Sequence, residues 1–310
     1  MNILFFCNAN NEFGIGHIRR CLLIANCLSS LNNKISVSFT GDIDKEFLKK
    51  KNIHLKNIEF NPRFEDFKLI VFDSYRFEDY EKINSLDNMK IAIDDQEIQE
   101  FKDWDLVINF RAKNNYKNYK AKKSLYGLKY FPFDNKLLQL RKENTFNNEI
   151  KNLFFYFGET VKTDLDKKTT DLLKKYKNEY NFFIYSNEIE LDSNIKFINS
   201  ANFFEYFSSA DLIIHGGGLT KYEASYSMKF NLSFSINKLQ KIDTEYLSSL
   251  GLSVDMGFYE SIYMCVKKTI EQVSKIDSIQ LDSLKKASKN NFDDNSLLNI
   301  SKEIANMIIE

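Results

Sequence analysis

The chain has 310 residues, enough for roughly two domains at about 150 residues each. Hydrophobic residues make up 43% and aromatic residues 15%, which excludes a wholly disordered chain. Lys and Arg total 43, as do Asp and Glu, so no global field draws the chain to nucleic acid or to an anionic membrane, and any anion site has to be local.

Short apolar runs alternate with amphipathic stretches, the rhythm of β-α units. Strands are predicted at Ile3–Cys7, Ile35–Thr40, Leu69–Asp73, Lys90–Asp94 and Leu106–Phe110. A first helix follows from Ile18, Cys21, Leu22, Ala25 and Leu28, which fall on one helical face, and a shorter one is expected over Glu78–Leu86. Around Asn135–Asn148 the chain turns polar, and then the rhythm restarts. Further strands are predicted at Asn152–Phe157, Asn181–Tyr185, Ile195–Ile198, Leu212–His215 and Leu232–Ile236. Helices are expected at Asp164–Tyr180, Phe203–Ser209, Lys221–Met228, Asp243–Leu250, Phe258–Ser274, Leu281–Ser288 and Ser296–Ile309. The expected fold is α/β: two doubly wound domains, 1–145 and 146–310, facing across a cleft, with the last helix packing back on the first domain. Ligands of such sheets bind at the carboxyl ends of the strands.

The longest apolar runs hold about five residues, against about 20 for a membrane-spanning helix, so no membrane insertion is expected. Met1–Asn8 has no basic region and no small-residue cleavage site, so no secretory signal is predicted. Cys7, Cys21, Cys27 and Cys265 form no C-x-x-C pair and lie in apolar stretches, which reads as four reduced thiols in a cytoplasmic protein. With three histidines, none spaced to a Cys as a zinc ligand, and no carboxylate pair placed for Mg²⁺, no metal is expected.

Only 10 residues are Gly and 2 are Pro, so clustered glycines are informative. Gly14 and Gly16 follow the first strand and precede the first helix. They let backbone approach a ligand, and the helix start presents free N–H groups. Arg19 occupies the third position of a G-x-G-x-x-G pattern, which disfavours dinucleotide binding. His17, in the first helical turn, is held neutral by the positive helix end and suits a general base, or else it packs at the helix start. Arg20 meets a phosphate or an acid, or faces solvent. The second loop is His215-Gly216-Gly217-Gly218-Leu219-Thr220, again between strand and helix, an arrangement that binds phosphate. Thr220 and Glu223 have capping-box spacing and equally suit a phosphate oxygen and ribose hydroxyls. His215 touches a ligand or ends its strand. Gly158 and Thr160 either add to the phosphate wall or form a plain β-α turn. Tyr75 follows the strand ending at Asp73 and projects at its carboxyl end or packs as a core aromatic. Asp94-Asp95 is expected as a strand-to-helix turn with an N-cap, and the D-x-D pairs Asp42/Asp44 and Asp164/Asp166 stand where helices should start, as caps.

Phe13-Gly14-Ile15-Gly16-His17-Ile18-Arg19-Arg20-Cys21-Leu22 resembles the G-x-G-H-x-x-R-x-L segment of the UDP-2,4-diacetamido-2,4,6-trideoxy-β-L-altropyranose hydrolases of pseudaminic acid synthesis, which belong with spore-coat polysaccharide biosynthesis proteins. The likeness runs through much of the chain. Asp73-Ser74-Tyr75 resembles the family's D-x-Y, Ile93-Asp94-Asp95 and Ile108-Asn109 its D-D and L-N pair, and Phe157-Gly158-Glu159-Thr160 its G-G-T turn, with Glu159 in place of Gly. Gly218-Leu219-Thr220 with Glu223 resembles the A-L-T-x-x-E of the GT-B transferase that adds N-acetylglucosamine to the lipid-linked peptidoglycan precursor. His215 with three glycines is similar to transferases rather than to the hydrolases' Ser-rich loop. Where the hydrolases carry Asn-Gln this chain has Leu239-Gln240, with Asn237 two residues early as a substitute.

The resemblance implies a GT-B-like fold and metal-independent cleavage of UDP from a UDP-sugar by water, with no cofactor. It gives His17 as base, Tyr75 and Asn237 at the sugar, and a UDP site including Gly217, Gly218, Glu223 and Gln240. An inverting glycosyltransferase on the same donor site is the alternative, and a non-catalytic nucleotide-sugar binding protein a second one. The sugar and the oligomeric state are left open.

Overall fold

The computed structural model describes residues 1–97, 99–111, 119–143, 149–158, 161, 165–186 and 192–309. The chain divides into two compact units, Met1–Asp134 with Phe292–Glu310, and Asn135–Asn291.

The first unit is built on six strands: β1 (Asn2–Cys7), β2 (Ser36–Thr40), β3 (Leu69–Asp73), β4 (Met89–Ile93), β5 (Leu106–Asn109) and β6 (Lys123–Tyr126). All neighbours are parallel, in the order β2-β1-β3-β4-β5-β6. Helices α1 (Gly16–Leu31), α2 (Lys45–Lys50) and α3 (Phe77–Asn84) lie between successive strands from β1 to β4. Apolar runs suit these strands because a parallel sheet is covered on both faces, and every residue of β3 is buried. Phe5, Phe72 and Trp104 are fully buried, each contributing roughly 2–3 kcal/mol by transfer from water. That burial anchors the strand ends that carry polar residues. Strand order reverses between β1 and β3, and Cys7 and Asp73 stand side by side there.

The second unit opens with α4 (Asn135–Glu143), followed by β7 (Asn152–Tyr156), α5 (Lys167–Tyr176), β8 (Asn181–Tyr185), β9 (Ile195–Ile198) and α6 (Phe203–Ser209). Then come β10 (Leu212–His215), α7 (Thr220–Tyr226), β11 (Phe230–Ser235), α8 (Lys238–Ser249), β12 (Val254–Phe258), α9 (Ile262–Val273) and α10 (Ser278–Asn291). The sheet is again parallel, in the order β12-β11-β10-β7-β8-β9, and its order reverses between β7 and β10. The final helix α11 (Ser296–Ile309) belongs to the first unit, where it packs on α1. The Ile308 carbonyl accepts from Lys68, and Lys123 pairs with Glu303.

Several elements differ from the sequence reading. The polar stretch at 135–143 is helical, and its buried residues are Leu137 and Arg141. Arg141 takes a core position by donating to the Tyr226 carbonyl and Ser288 Oγ while its guanidinium lies over the Tyr226 ring. Helix α1 buries His17, Ile18, Arg20, Cys21, Ile24, Ala25 and Leu28, whereas Leu22 is half-buried. Its inward face is therefore rotated toward two polar residues. Asp44 caps α2 and Asp166 caps α5, as expected. No helix starts at Asp94-Asp95: Asp94 accepts from the Gln96 N–H, closing a local turn, and Asp95 turns to Arg20. Asp164 and Thr160 lie outside the described residues.

Candidate active site

The first candidate site stands at the carboxyl ends of β1 and β3. Asn10 closes the loop after β1: its carbonyl accepts from Gly14 N–H, and its Oδ1 accepts from the N–H groups of Glu12 and Phe13. Gly14 has φ +69°, a conformation that favours glycine. Arg76 braces the loop, donating to Glu12 and stacking its guanidinium over Phe13. Helix α1 then starts with no side-chain cap, and His17 is its second residue.

His17 is buried, and its Nδ1 lies 2.6 Å from Asp73 Oδ1. Against an ionised carboxylate the proton sits on Nδ1, which makes Nε2 the basic nitrogen. Nε2 has no hydrogen-bond partner among the described residues. Arg20 grips the same carboxylate with Nε and Nη2, each at 2.5 Å, and reaches Asp95 with Nη1 at 2.9 Å. Burial alone would raise the Asp73 carboxyl, but Arg20 and His17 outweigh it and hold it well below the usual carboxylate range. Asp95 is lowered for the same reason, Arg20 overcoming its burial. The Tyr75 hydroxyl donates to Asp95 Oδ1 at 2.7 Å, and its ring meets the His17 ring edge-on at 4.3 Å. Burial and the Asp95 charge push this phenol well above its ordinary value, so it stays a donor.

Arg20 was expected to meet a phosphate or an acid; it is buried and spent on two acids. Asp73 and Asp95, which sequence reasoning gave no catalytic role, are the partners that orient His17 and Arg20. With neutral His17 this cluster holds two carboxylates against one guanidinium. A proton arriving at Nε2 makes the imidazolium the second cation. Asp94 and Asn109 are joined beside it through Tyr119, whose hydroxyl accepts from Asn109 Nδ2 and donates to Asp94 Oδ2, both at 3.0 Å.

The second candidate site follows β10. His215 is fully buried, with Nδ1 accepting from Gly217 N–H and Nε2 donating to Asn231 Oδ1, both at 3.1 Å. Burial pushes its imidazole down to about 4, so both nitrogens serve the loop as a neutral ring. The three glycines differ in what they do. A Cβ on Gly216 would lie 2.8 Å from the Phe157 carbonyl oxygen, and one on Gly217 would crowd Gln240 and Thr244 at 3.2 Å with φ already at +76°. Gly218 has open space where a Cβ would project. The N–H groups of Gly218, Leu219 and Thr220 have no acceptor among the described residues. Leu219 precedes α7 with no side-chain cap, so Thr220 and Glu223 form no capping box and Thr220 is the first helical residue.

Gly158 follows β7 with φ +100°, and a Cβ there would meet nothing within 4 Å among the described residues. Asn237 Oδ1 accepts from Gln240 N–H, and Gln240 Oε1 accepts from Ile236 N–H, so this pair begins α8. Lys221 and Asp243, which the sequence reading left unremarked, form a buried ion pair behind the glycines at 3.1 Å. Among the described residues no His, Cys, Asp and Glu side chains gather as a metal site, and no helix is long and apolar enough to cross a membrane.

Two parallel six-stranded sheets with interleaved helices make this an α/β chain whose fold matches the GT-B fold of solved glycosyltransferases. Glycosyltransferase SsfS6 of Streptomyces sp. SF2575, complexed with thymidine diphosphate, superposes with a TM-score of 0.63 at 10% identity, covering 98% of this chain and 99% of that one. Acinetobacter baumannii MurG gives 0.65 at 12%, covering 98% of each chain. The UDP co-structure of S. aureus MnaA gives 0.60 at 9%, covering 98% and 95%. In sequence, an uncharacterized protein of Methanocaldococcus jannaschii is 27% identical over 264 residues, 73% of this chain. The chain spans about half, 54%, of that relative's length. No family model matches.

Proposed function

We propose that the chain is an inverting glycosyltransferase that takes a nucleoside-diphosphate sugar as donor. The observation that carries this is the His17–Asp73 pair, with Nδ1 tied to a carboxylate and Nε2 without a hydrogen-bond partner among the described residues. In the reaction, Nε2 takes the proton of an acceptor hydroxyl as its oxygen attacks the anomeric carbon. The bond from that carbon to the diphosphate oxygen breaks, and the nucleoside diphosphate leaves with the electron pair. Asp73 stabilises the imidazolium that forms and fixes its tautomer. The Gly218, Leu219 and Thr220 amides receive the diphosphate and offset its charge without a cation. Gly14, Gly16 and Gly158 shape the loops around the ligand. Glu223 takes the ribose, and Tyr75 keeps His17 and Asp95 in place. The base of the nucleotide is uracil or thymine: the similar structures named above carry UDP and thymidine diphosphate. Free cysteines at Cys7, Cys21, Cys27 and Cys265 suit a reducing cytoplasm.

The second reading is hydrolysis, in which water replaces the acceptor and a UDP-linked acetamido-deoxy sugar is cleaved. What favours it is the likeness of the segment from Phe13 to Leu22 to the pseudaminic acid pathway hydrolases. A panel of UDP- and dTDP-sugars, incubated with EDTA and with or without sugar acceptors, separates the two. Nucleotide release that requires an acceptor is expected. Release matched by free sugar without any acceptor would replace transfer with hydrolysis. Binding of donor with neither outcome would leave a nucleotide-sugar binding protein. His17→Ala is expected to abolish turnover while nucleotide affinity is kept, and unchanged turnover would remove His17 from the base role. Glu223→Ala is expected to weaken nucleotide binding.

A further inference from the structure

Lys221 is a lysine in an unusual place. It is the second residue of α7, yet it is 4% exposed. A buried ammonium is costly unless its protons find acceptors. Here Nζ donates to the Gly217 carbonyl at 2.9 Å and to Asp243 Oδ2 at 3.1 Å, and lies 4.7 Å from the centre of the Tyr222 ring. The Tyr222 hydroxyl donates to the same Asp243 oxygen at 3.3 Å. Asp243 projects from α8, the helix whose Gln240 and Thr244 lie against Gly217.

Both polar groups of Gly217 are thereby engaged: its N–H goes to His215 and its carbonyl to Lys221. A residue at φ +76° is held from two sides, and the amides with no acceptor among the described residues begin at the next residue. A glycine-rich loop is otherwise free to turn its peptide planes, because glycine visits either sign of φ readily. A surface lysine reaching for a phosphate would need its ammonium in solvent. This one is committed inward, so its charge acts on loop shape.

We propose that Lys221, locked by Asp243, is a positioning residue: it fixes the Gly217 peptide so that the amides of Gly218, Leu219 and Thr220 stay aligned for the diphosphate of the nucleotide. This rests on the diphosphate role given to the loop above.

The test uses the full chain carrying Lys221→Met, and the double variant Lys221→Met/Asp243→Asn, which avoids burying a lone carboxylate. Three quantities are measured: thermal melting, hydrogen exchange of the peptide spanning residues 216–220, and calorimetric titration with UDP and with dTDP. The double variant is expected to melt near the native temperature. Its Gly216 and Gly217 N–H groups, the two loop amides that have an acceptor in the native chain, should exchange roughly tenfold faster, the signature of local opening. Its nucleotide dissociation constant should rise roughly tenfold, as for a lost charge-assisted hydrogen bond. Native exchange and native affinity in a folded double variant would overturn the proposal and leave Lys221 a packing residue. If the native chain binds neither nucleotide, the diphosphate reading falls; faster loop exchange in the variant would then still support Lys221 as the loop's fixing point, and unchanged exchange would remove that too.

Discussion

Asp73→Asn isolates what the carboxylate does for His17. The side chain keeps its shape, and an amide oxygen could still accept from Nδ1. What is lost is the negative charge 2.6 Å from the ring nitrogen. That charge matters most when His17 is protonated, which in the proposed reaction is the transition state and not the resting enzyme. Coulomb's law at an effective dielectric of about 20 gives about 6 kcal/mol for an imidazolium–carboxylate pair at that separation. Arg20 shares the carboxylate, so the realised loss is smaller. The amide can also turn its NH₂ to Nδ1 and stabilise the tautomer with Nε2 protonated, which is useless as a base. A fall in kcat of about 10³- to 10⁴-fold, about 4 to 5.5 kcal/mol, is expected. KM for the donor should hold, because neither His17 nor Asp73 is assigned to the nucleotide. Steady-state release of nucleoside diphosphate at saturating donor measures this, with circular dichroism melts confirming the fold. A folded variant with kcat within about threefold of native, or one whose loss lies wholly in KM, would refute the dyad reasoning.

Further outcomes follow from other residues. His215 is pushed down to about 4 in the fold by burial, against about 6.5 when unfolded, so the unfolded chain takes up its proton first. Stability it contributes is full above pH of about 6.5 and declines toward about 4, by as much as about 3 kcal/mol, and His215→Gln should flatten that slope in urea titrations across this range; equal slopes would refute it. Gly216→Ala brings a Cβ within 2.8 Å of the Phe157 carbonyl oxygen and should cost about 1–3 kcal/mol in melts. Gly218→Ala meets no neighbour, so stability should stay within about 0.5 kcal/mol while UDP affinity falls. Arg20→Met leaves the buried Asp73 and the half-buried Asp95 without their shared cation and should lose about 3–5 kcal/mol in urea unfolding, and a variant of native stability would show that the carboxylates are balanced elsewhere.

The strands buried on both faces were legible because their apolar runs have no polar face to interrupt them. Edge and short elements were not. In β6 (Lys-Ser-Leu-Tyr) only Leu125 is buried, and β12 is half-exposed throughout most of its length with a glycine at φ +90° inside it. Neither presents a run that periodicity can find. Helix α4 hid because an arginine, not an aliphatic residue, completes its buried stripe, and its partners there, among them Ser288 and the Tyr226 carbonyl, come from distant parts of the chain. The glycine loops and His17 were visible as residue types. Their partners were not: Asp73 lies 56 residues from His17, and the two meet because β1 and β3 run in parallel with Cys7 and Asp73 in register. Arg20 shows the same limit, since no spacing reveals that both carboxylates it meets end up inside.

In the proposed reaction the sign of the charge at each site accounts for base and anion holder being carried by different units. A base that must become an imidazolium gains from surplus negative charge, and the first unit supplies Asp73 and Asp95 against Arg20 alone. A diphosphate would be repelled by that same surplus. The second unit instead pairs its buried cation Lys221 with Asp243 and keeps His215 neutral, so that the glycine loop presents amide dipoles beside a neutralised carboxylate. Amides bind an anion without being titrated by it, and a neutral His215 takes no proton from it over the range where the enzyme would work. A chain with zero net charge thus reaches two opposite local electrostatics by burying its countercharges. Substitutions that expose or strand one of those charges should therefore separate the two functions, kcat from the first unit and nucleotide affinity from the second.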